Sequence, residues 1–431
     1  MIKFLNNNYW PKPKSRDLGF PTDIRLFSET LLLAYTEHSI TNIQLQNELS
    51  ERVKGLKFIK QLSITSIDIL IKEMKTFGWI KLIRINKSSG ETYTLDFKGI
   101  EALEIYKSNK LNFLKLLIYN INKIYIIPAW FVNRLWELNK NGQGEIIIPL
   151  PIKEWLPKSR EFNILVWNNI LEEITFETYK RINNSNNNLL PIEYQIWRDE
   201  VKIAWERIIN HSTNSISKRQ NAPRLRLSLA MKEASIKILF SNCNPLTLKR
   251  DFKTEKPPLF PRTYAVWCPR LLALQLIMYT DSYSTLPGRL LFPVSVFKSN
   301  EKNGNNYLEL PEIHNTSDEI LYLHRPNWGE FKEKYVSVLY NEHQRQYLKV
   351  RSLYVSLLDV RDGVCRQLRI SANTFEDFLE LSVESSLKPD SKYRISLETD
   401  IREDQRRAYQ ISRRPVLIKG IPYSLIAITK T

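Results

Sequence analysis

The sequence predicts a mostly helical α+β protein made of tandem modules that end in short β hairpins. Apolar residues recur at helical spacing through most of the chain, and short alternating runs bounded by turn residues follow two of these helical regions. Hydrophobic residues make up 43% and aromatic residues 11% of the 431 positions, which indicates ordered globular structure. A chain of this length has room for two to four domains.

Residues 1–22 are predicted to form a basic irregular arm. Asparagines and three prolines oppose regular structure there, while Lys12, Lys14 and Arg16 supply positive charge. The arm either lies along a phosphate backbone or packs Tyr9 and Trp10 onto the following domain, and both roles are compatible.

Residues 23–110 contain the clearest module, which begins with three helices. Apolar residues from Phe27 to Tyr35 repeat at helical spacing. Thr41 is suited to cap a second helix, and Ser63 is suited to cap a third.

A hairpin is predicted to follow the third helix. Gly78 ends that helix, residues 79–85 alternate as in a strand, residues 87–90 form a turn, and residues 92–95 return. This order resembles a winged helix-turn-helix. The resemblance rests on Gly78-Trp79-Ile80, on the wing tip at 88–91 and on the exit through 93–100, and it covers about the first quarter of the chain.

The resemblance implies that the third helix enters the major groove of DNA and that the wing contacts the neighbouring backbone. The residues it assigns to DNA are, on the helix, Ser63, Thr65, Ser66, Lys72 and Lys75 and, on the wing, Lys81, Arg84 and Lys87. The helix lacks arginine, and Asp68 would repel phosphate, so backbone and shape recognition is expected rather than base reading. Winged helices also serve as protein-docking modules.

Residues 111–182 are predicted to form a second helical, winged-helix-like unit. Residues 110–127 have a helical pattern, 145–150 are rich in β-forming residues, and 161–179 resume the helical pattern.

Residues 183–340 are predicted to be a helical middle region with basic loops, after a polar hinge at 183–188. A helix over 191–210 carries an apolar stripe formed by Ile196, Trp197, Val201, Ala204 and Trp205. A second helix is expected over 269–280, a strand over 290–297 and a third helix over 328–348. The loops at 211–226 and 249–262 either contact phosphates or form a solvated surface; the candidate contacts are Lys218, Arg219, Arg224 and Arg226.

Residues 341–431 are predicted to form a C-terminal winged-helix-like domain, with Thr374 capping its presumptive recognition helix. That helix carries four acidic residues, Glu376, Asp377, Glu380 and Glu384. Carboxylates would be repelled by phosphates, so this domain either binds DNA through its charged tip or uses the acidic helix to dock a protein. The tip residues assigned to DNA are Arg406, Arg407, Arg413 and Arg414.

The global charge favours polyanion partners. The formal net charge is +17 and the pI is near 9.5, which suits nucleic acid, although membranes and acidic proteins would also attract such a chain. The cysteines Cys243, Cys268 and Cys365 are far apart with no CxxC pair, which disfavours a zinc site or a disulfide framework and favours a reducing cytosol. No apolar run has signal-peptide or membrane-span length, so a cytoplasmic protein is expected.

Motifs for catalysis are not visible in the sequence. There is no phosphate-binding glycine loop, and the five histidines form no metal-binding pattern. Asp359, Arg361 and Asp362 either mark a metal-dependent nuclease or form salt bridges. His343 with Arg345, or His314 with Asp318, would suit acid-base work, but exposed loop histidines explain the same residues.

The sequence therefore predicts a non-catalytic, cofactor-free and metal-free subunit that binds double-stranded DNA and recruits partner proteins through the acidic helix, with no membrane partner. Its composition, rich in Lys, Asn and Ile, is typical of bacterial chains, and an antiphage-defence or mobile-element system is a hypothesis about context. Three alternatives stay open: a plasmid-type replication initiator or transcription regulator, a cryptic nuclease, and a docking scaffold that does not bind DNA.

Overall fold

The structure is a computed structural model. It describes residues 24–54, 64–86, 90–124, 131–132, 135, 138, 144–150, 164–183, 189–190, 192–212, 223–240, 260–280, 288–294, 296–299, 308–310, 320–323, 326–399 and 416–431. Within this part of the chain the fold is mostly helical with small antiparallel sheets, so the predicted α+β class is confirmed. None of the described helices is long and apolar enough to cross a membrane.

The helices of the described residues are α1 Arg25–Thr36, α2 Asn42–Lys54, α3 Ile64–Phe77, α4 Phe97–Ser108, α5 Lys110–Ile124, α6 Ile164–Asn183, α7 Tyr194–Ser212, α8 Pro223–Phe240, α9 Phe260–Ala273, α10 Trp328–Val350, α11 Leu357–Leu368 and α12 Ala372–Ser386. The strands are β1 Ile40–Thr41, β2 Ile80–Asn86, β3 Gly90–Leu95, β4 Ile146–Pro149, β5 Ile277–Thr280, β6 Gly288–Pro293, β7 Val296–Ser299, β8 Leu308–Leu310, β9 Ile320–Leu323, β10 Val355–Ser356, β11 Tyr393–Glu398, β12 Val416–Ile418, β13 Ile421–Tyr423 and β14 Leu425–Lys430.

The chain forms two compact units, each assembled from three segments. The first unit combines residues 1–131, 244–274 and 297–323, and the second combines 132–243, 275–296 and 324–431. The domains predicted from the sequence were contiguous stretches, whereas these units interleave along the chain.

The N-terminal module, defined as α1 to β3, lies in the first unit. Thr41 and Gln44 cap α2 reciprocally: the Thr41 hydroxyl accepts the Gln44 amide at 3.2 Å, and the Gln44 side chain accepts the Thr41 amide at 3.0 Å. The short β1 and the longer β2 both pair antiparallel with β3, which gives the order β1-β3-β2. The predicted cap at Thr41 is confirmed, whereas Ser63 lies outside the described residues.

Two glycines shape the end of α3 and its exit. Gly78 has φ +72°, a left-handed conformation that suits glycine, and the Trp79 amide donates to the Met74 carbonyl at 2.9 Å, as at a helix C-terminus. A Cβ at Gly99 would collide with the Trp79 carbonyl oxygen, so glycine allows α4 to approach this turn. Phe27, Phe77 and Trp79 pack their rings together beneath the turn.

The strand predicted over 145–150 is present as β4, but its partner is remote in sequence. Ile147 on β4 pairs with Leu290 on β6, and β5 pairs with the other edge of β6, which gives the order β4-β6-β5. The winged-helix-like unit predicted over 111–182 therefore has no local hairpin among its described residues. The pairing is long-range, and sequence periodicity does not report such partners.

The apolar stripe predicted on the helix over 191–210 is largely confirmed in α7. Trp197, Val201 and Trp205 are buried, and the Trp205 ring lies 6.2 Å from that of Trp167 on α6. Ile196 was placed in the same stripe, but it is 51% exposed. Consecutive helical residues lie about 100° apart, so Ile196 falls on the outer side of its buried neighbour.

The helix predicted over 269–280 is wrong at both ends. Helix α9 begins at Phe260 and ends at Ala273, and Ile277–Thr280 forms β5 instead. Gln275 adopts φ +58°, which terminates the helix, and residues 277–280 find a ladder partner in β6.

The C-terminal module, defined as α10 to β14, lies in the second unit. Its short β10 and longer β11 both pair antiparallel with β14, in the order β10-β14-β11. Helix α12 begins at Ala372, earlier than predicted, because Ser371 rather than Thr374 provides the N-cap and accepts the Thr374 amide at 3.1 Å.

The two modules share one order of elements. Each begins with a helix, a two-residue strand, two further helices and a longer strand, and in each the two-residue strand pairs with the last strand. The C-terminal module has in addition the paired strands β12 and β13 before its last strand. In both, a non-glycine residue with positive φ follows the first helix: His38 at 56° and Arg351 at 52°.

Candidate nucleic-acid interface

Four of the described residues of α3 are exposed on its outward face. Asp68, Lys72, Lys75 and Thr76 are exposed, and their spacing of four, three and one positions places them on one side of a helix. The face thus carries two ammonium groups, one carboxylate and one hydroxyl.

The opposite face of α3 is buried. Its apolar residues are Ile67, Leu70, Ile71, Met74 and Phe77. Glu73 lies among them at 2% exposed and accepts two hydrogen bonds, at 2.7 and 2.6 Å, from the guanidinium of Arg270 on α9. This ion pair holds α3 on its buried side, and no local sequence pattern signals it, because the two residues are 197 positions apart.

Strand β2 continues the basic surface next to α3. Lys81 lies opposite Thr94 and Arg84 lies opposite Thr92, and a bulge between Leu82 and Arg84 keeps both cations exposed. Lys81 also lies 3.8 Å from the Asp96 carboxylate, both groups being well exposed. A pair of this kind is weak in water, so the ammonium keeps its capacity to meet a phosphate.

Two carboxylates lower the positive charge of this surface. The Tyr93 hydroxyl donates to Glu91, and Lys75 lies 5.7 Å from the centroid of the Tyr93 ring. Burial, and then the negative charge of Glu91, raise the pKa of Asp68. Asp68 and Glu91 therefore interact, and together they oppose phosphate at this edge of the module.

Apolar side chains are also exposed on β2. Leu82, Ile83 and Ile85 are 37%, 56% and 69% exposed. The sequence pattern predicts simple alternation along this strand, and the bulge between Leu82 and Arg84 breaks it.

Four of the predicted nucleic-acid contacts, Lys72, Lys75, Lys81 and Arg84, are exposed on the N-terminal module. Ser66 lies on the other side of α3, half-buried towards Glu73. Ser63 and Lys87 lie outside the described residues, and Thr65 is helical with a side chain that is not described.

Of the predicted contacts in the middle region and at the charged tip, Arg226 is the one whose side chain the structure describes. Arg226 is buried at 5% exposed, and burial lowers the pKa of its guanidinium, so it is not available to a phosphate. Arg224 is helical without a described side chain. Lys218, Arg219, Arg406, Arg407, Arg413 and Arg414 lie outside the described residues.

Helix α12 of the C-terminal module has an acidic outward face. Asp377 and Glu384 are exposed and Glu380 is half-buried. Lys419 lies 2.9 Å from Glu384 and 3.9 Å from Glu380; the hydrogen bond with Glu384 raises the pKa of Lys419. Glu376 was predicted to belong to this face, but it is buried and accepts the Leu417 amide at 3.4 Å.

The residues weighed for catalysis are mostly committed to structural contacts. Arg361 and Asp362 form a buried ion pair at 3.0 Å, as the salt-bridge alternative predicted. No described group of three or more His, Cys, Asp or Glu residues is arranged to hold a metal ion. Burial raises the pKa of the Cys365 thiol well above its usual value, which keeps it protonated.

His343 is not the exposed loop residue that the sequence suggested. It is buried on α10, with Nε2 3.0 Å from the Leu353 carbonyl oxygen and 3.2 Å from the Ile428 amide nitrogen. Burial lowers its pKa, so the ring is held neutral between two backbone segments.

Comparison of the chain with protein-family models, with curated proteins and with solved structures finds no match.

Proposed function

We propose that the N-terminal and C-terminal modules are both winged helices and that the N-terminal one binds duplex DNA. The support for a repeated fold is the shared order of elements and the pairing of the two-residue strand with the last strand in each module. In this proposal α3 and α12 occupy the same position, as the third helix of their module.

The observation that carries the DNA proposal is the exposed basic surface of α3 and β2. A third helix that enters the major groove presents its outward side chains to the duplex, and the adjoining strand faces the backbone. Lys72 and Lys75 would then approach the groove and its phosphates, while Lys81 and Arg84 would contact the flanking backbone.

The recognition is proposed to tolerate sequence changes. The outward face of α3 offers no arginine, asparagine or glutamine among its described residues, and these are the side chains that read base edges with two hydrogen bonds. Lysine contacts to phosphate give affinity without sequence information.

The C-terminal module is proposed to contact protein rather than DNA. Asp377, Glu380 and Glu384 on α12 would be repelled by phosphates where the equivalent face of α3 attracts them. We therefore propose a non-catalytic, DNA-binding subunit that brings partner enzymes to DNA, and the setting we propose is a bacterial multi-protein system of the antiphage-defence or mobile-element type.

The test is the affinity for several unrelated duplexes, measured by fluorescence anisotropy over a salt series. The logarithm of the affinity should fall steeply with the logarithm of the salt concentration and similarly for all sequences. A variant with Lys72, Lys75, Lys81 and Arg84 changed to Ala should bind more weakly and show a shallower slope, by up to about 0.9 for each lost phosphate contact.

The matched control removes the same charge from the second unit. Lys180, Lys202, Lys332 and Lys388 are all exposed there, and their change to Ala should leave the salt slope close to that of the original chain. Equal weakening by both variants would mean that binding follows net charge alone. Strong preference for one duplex would instead favour a replication initiator or a transcription regulator.

A second candidate function is protein docking by the N-terminal module itself. The exposed aliphatic residues Leu82, Ile83 and Ile85 favour it, because several exposed apolar side chains on one short strand suit contact with another protein. Negligible DNA binding at about 0.1 M salt would support this candidate over DNA binding.

A further inference from the structure

The C-terminal end of α10 is exposed to solvent. Residues 347–353 are all exposed, and they include the final helical turn. We call residues 347–353 the α10 tip.

The α10 tip combines apolar and basic side chains. Leu348 is 74% exposed, Val350 60% and Leu353 45%, and they alternate with Lys349 and Arg351. No acidic residue interrupts the tip. Arg351 follows the last residue of α10 and adopts the left-handed conformation at φ 52°, which favours glycine. The helix therefore ends next to a charged side chain on a strained backbone.

A surface with the complementary character lies on α12 of the same module. Asp377, Glu380, Leu381, Glu384 and Leu387 recur at helical spacing on its outward side. Leu381 is 36% and Leu387 72% exposed, so acidic groups border two apolar side chains. Lys419 already places its ammonium against Glu384, which shows that this surface accommodates a cation. We call these five residues the α12 face.

Within one molecule the α10 tip does not reach the α12 face. The start of α12 packs against the first half of α10: the Tyr335 and Phe375 rings are 6.0 Å apart, and the Trp328 and Phe378 rings are 5.2 Å apart. From Tyr335 to Val350 the rigid helix advances by about 22 Å at 1.5 Å per residue. The tip therefore extends away from the helix pair.

We propose that the α10 tip docks on the α12 face of a second copy of this chain. Leu348 would cover Leu381 and Leu387, while Lys349 and Arg351 would meet Glu380 and Glu384. The two surfaces differ, so the contact is head-to-tail and each copy keeps one surface for a further copy.

The contact must work against the net charge of +17 on each copy. At about 0.15 M salt the screening length is about 8 Å. Repulsion between distant like charges is therefore weakened, while the attraction within ion pairs in direct contact persists. The contact is small, and small interfaces give weak, transient association. The proposal does not depend on DNA binding, and the test is therefore made without DNA.

The experiment is sedimentation velocity of the full chain from about 5 to 200 μM, the range in which contacts of micromolar affinity become populated. The sedimentation coefficient should rise with concentration. A tip variant, Lys349→Glu/Arg351→Glu, should weaken the association about tenfold or more, the scale set by about 1.4 kcal/mol. The charge-matched control Lys332→Glu/Lys334→Glu, at the exposed start of α10, should sediment like the original chain.

A face variant, Glu380→Lys/Glu384→Lys, should also lose association by itself. An equimolar mixture of the tip and face variants should associate again, because the acidic tip of one then meets the basic face of the other. All four substituted positions are on the surface or half-buried, so circular dichroism should report unchanged folding. A chain that stays monomeric up to 200 μM, a control that fails like the tip variant, or a mixture that stays monomeric would each overturn the proposal.

Discussion

Glu73 and Arg270 are 197 positions apart in the chain, yet their side chains form a two-pronged ion pair with 2% and 1% of their surfaces exposed. Arg270 also lies over the Trp267 ring, 5.1 Å from its centroid. The pair joins α3, the helix proposed to meet DNA, to α9 within the first unit. It shows that the N-terminal module is completed by a segment from the middle of the sequence.

Removing one partner of this pair should destabilise the first unit strongly. Glu73→Ala leaves a buried guanidinium without its carboxylate, and breaking a buried pair typically costs about 3–5 kcal/mol. Hydrogen exchange of the α3 amides should report the loss. The exposed pair of Arg52 and Glu29 is the control, and Arg52→Ala should cost less than about 1 kcal/mol. Equal costs for the two variants would contradict the assigned role.

Gly363 makes room for a buried carboxylate in the C-terminal module. A Cβ there would collide with the carboxylate of Glu342, which accepts hydrogen bonds from Gln346 and Gln367, both at 3.0 Å. Although alanine normally favours a helix over glycine by about 1 kcal/mol, Gly363→Ala should destabilise the second unit, by about 1–3 kcal/mol. Denaturant unfolding measures this.

The control for that substitution is Gly329, in the first turn of α10. A Cβ there would meet nothing closer than 3.7 Å, so Gly329→Ala should be neutral or stabilising by up to about 1 kcal/mol. If Gly363→Ala also stabilised the chain, the assigned packing of Glu342 would be wrong.

His343 should make the second unit less stable in acid. Burial places its pKa in the folded state below the ordinary value of 6.5, so the unfolded chain binds more protons as the pH falls through that value. The stability contributed by neutral, buried His343 is therefore fully present above about pH 6.5. It is lost as the pH falls towards the pKa of the folded state, at up to about 1.4 kcal/mol per pH unit. Thermal unfolding at pH 7.5 and 5.5 measures the decline.

His343→Gln keeps a side-chain amide near the Leu353 carbonyl and cannot titrate, so it should reduce the difference between the two pH values. His38 is exposed, and His38→Gln should leave that difference unchanged. An undiminished acid loss in the His343 variant would assign the effect to other groups.

The helices of the N-terminal module could be predicted because their signals are local. The cap at Thr41, the left-handed Gly78 and the spacing of Lys72 and Lys75 each depend on residues within one or two turns. Long-range features could not be found this way. The pairing of β4 with β6 and the partner of Glu73 join distant segments, and no local pattern specifies them.

The exposure of residues in the candidate site also depends on both local and long-range features. Simple alternation would place Lys81 and Arg84 on opposite faces of the strand. The bulge that gives them partners on the same face of β3 depends on the register with that strand, which a local pattern does not report. Arg226 looked like a loop cation from its basic neighbours. Its burial results from the packing of α8 in the second unit, which charge patterning does not reveal.

Asp68 should limit the affinity for DNA if α3 faces the duplex as proposed. Its carboxylate shares the outward face with Lys72 and Lys75, and it interacts with Glu91 on β3. Asp68→Asn removes one negative charge at nearly constant shape, so duplex affinity at about 0.1 M salt should rise, by roughly two- to tenfold. Asp390 is exposed in the second unit, and Asp390→Asn is the control for net charge. Anisotropy titrations measure the duplex affinity of both variants. An equal gain in affinity would indicate attraction to the net charge of the chain, whereas a gain confined to Asp68→Asn would indicate that phosphates lie against this face of α3.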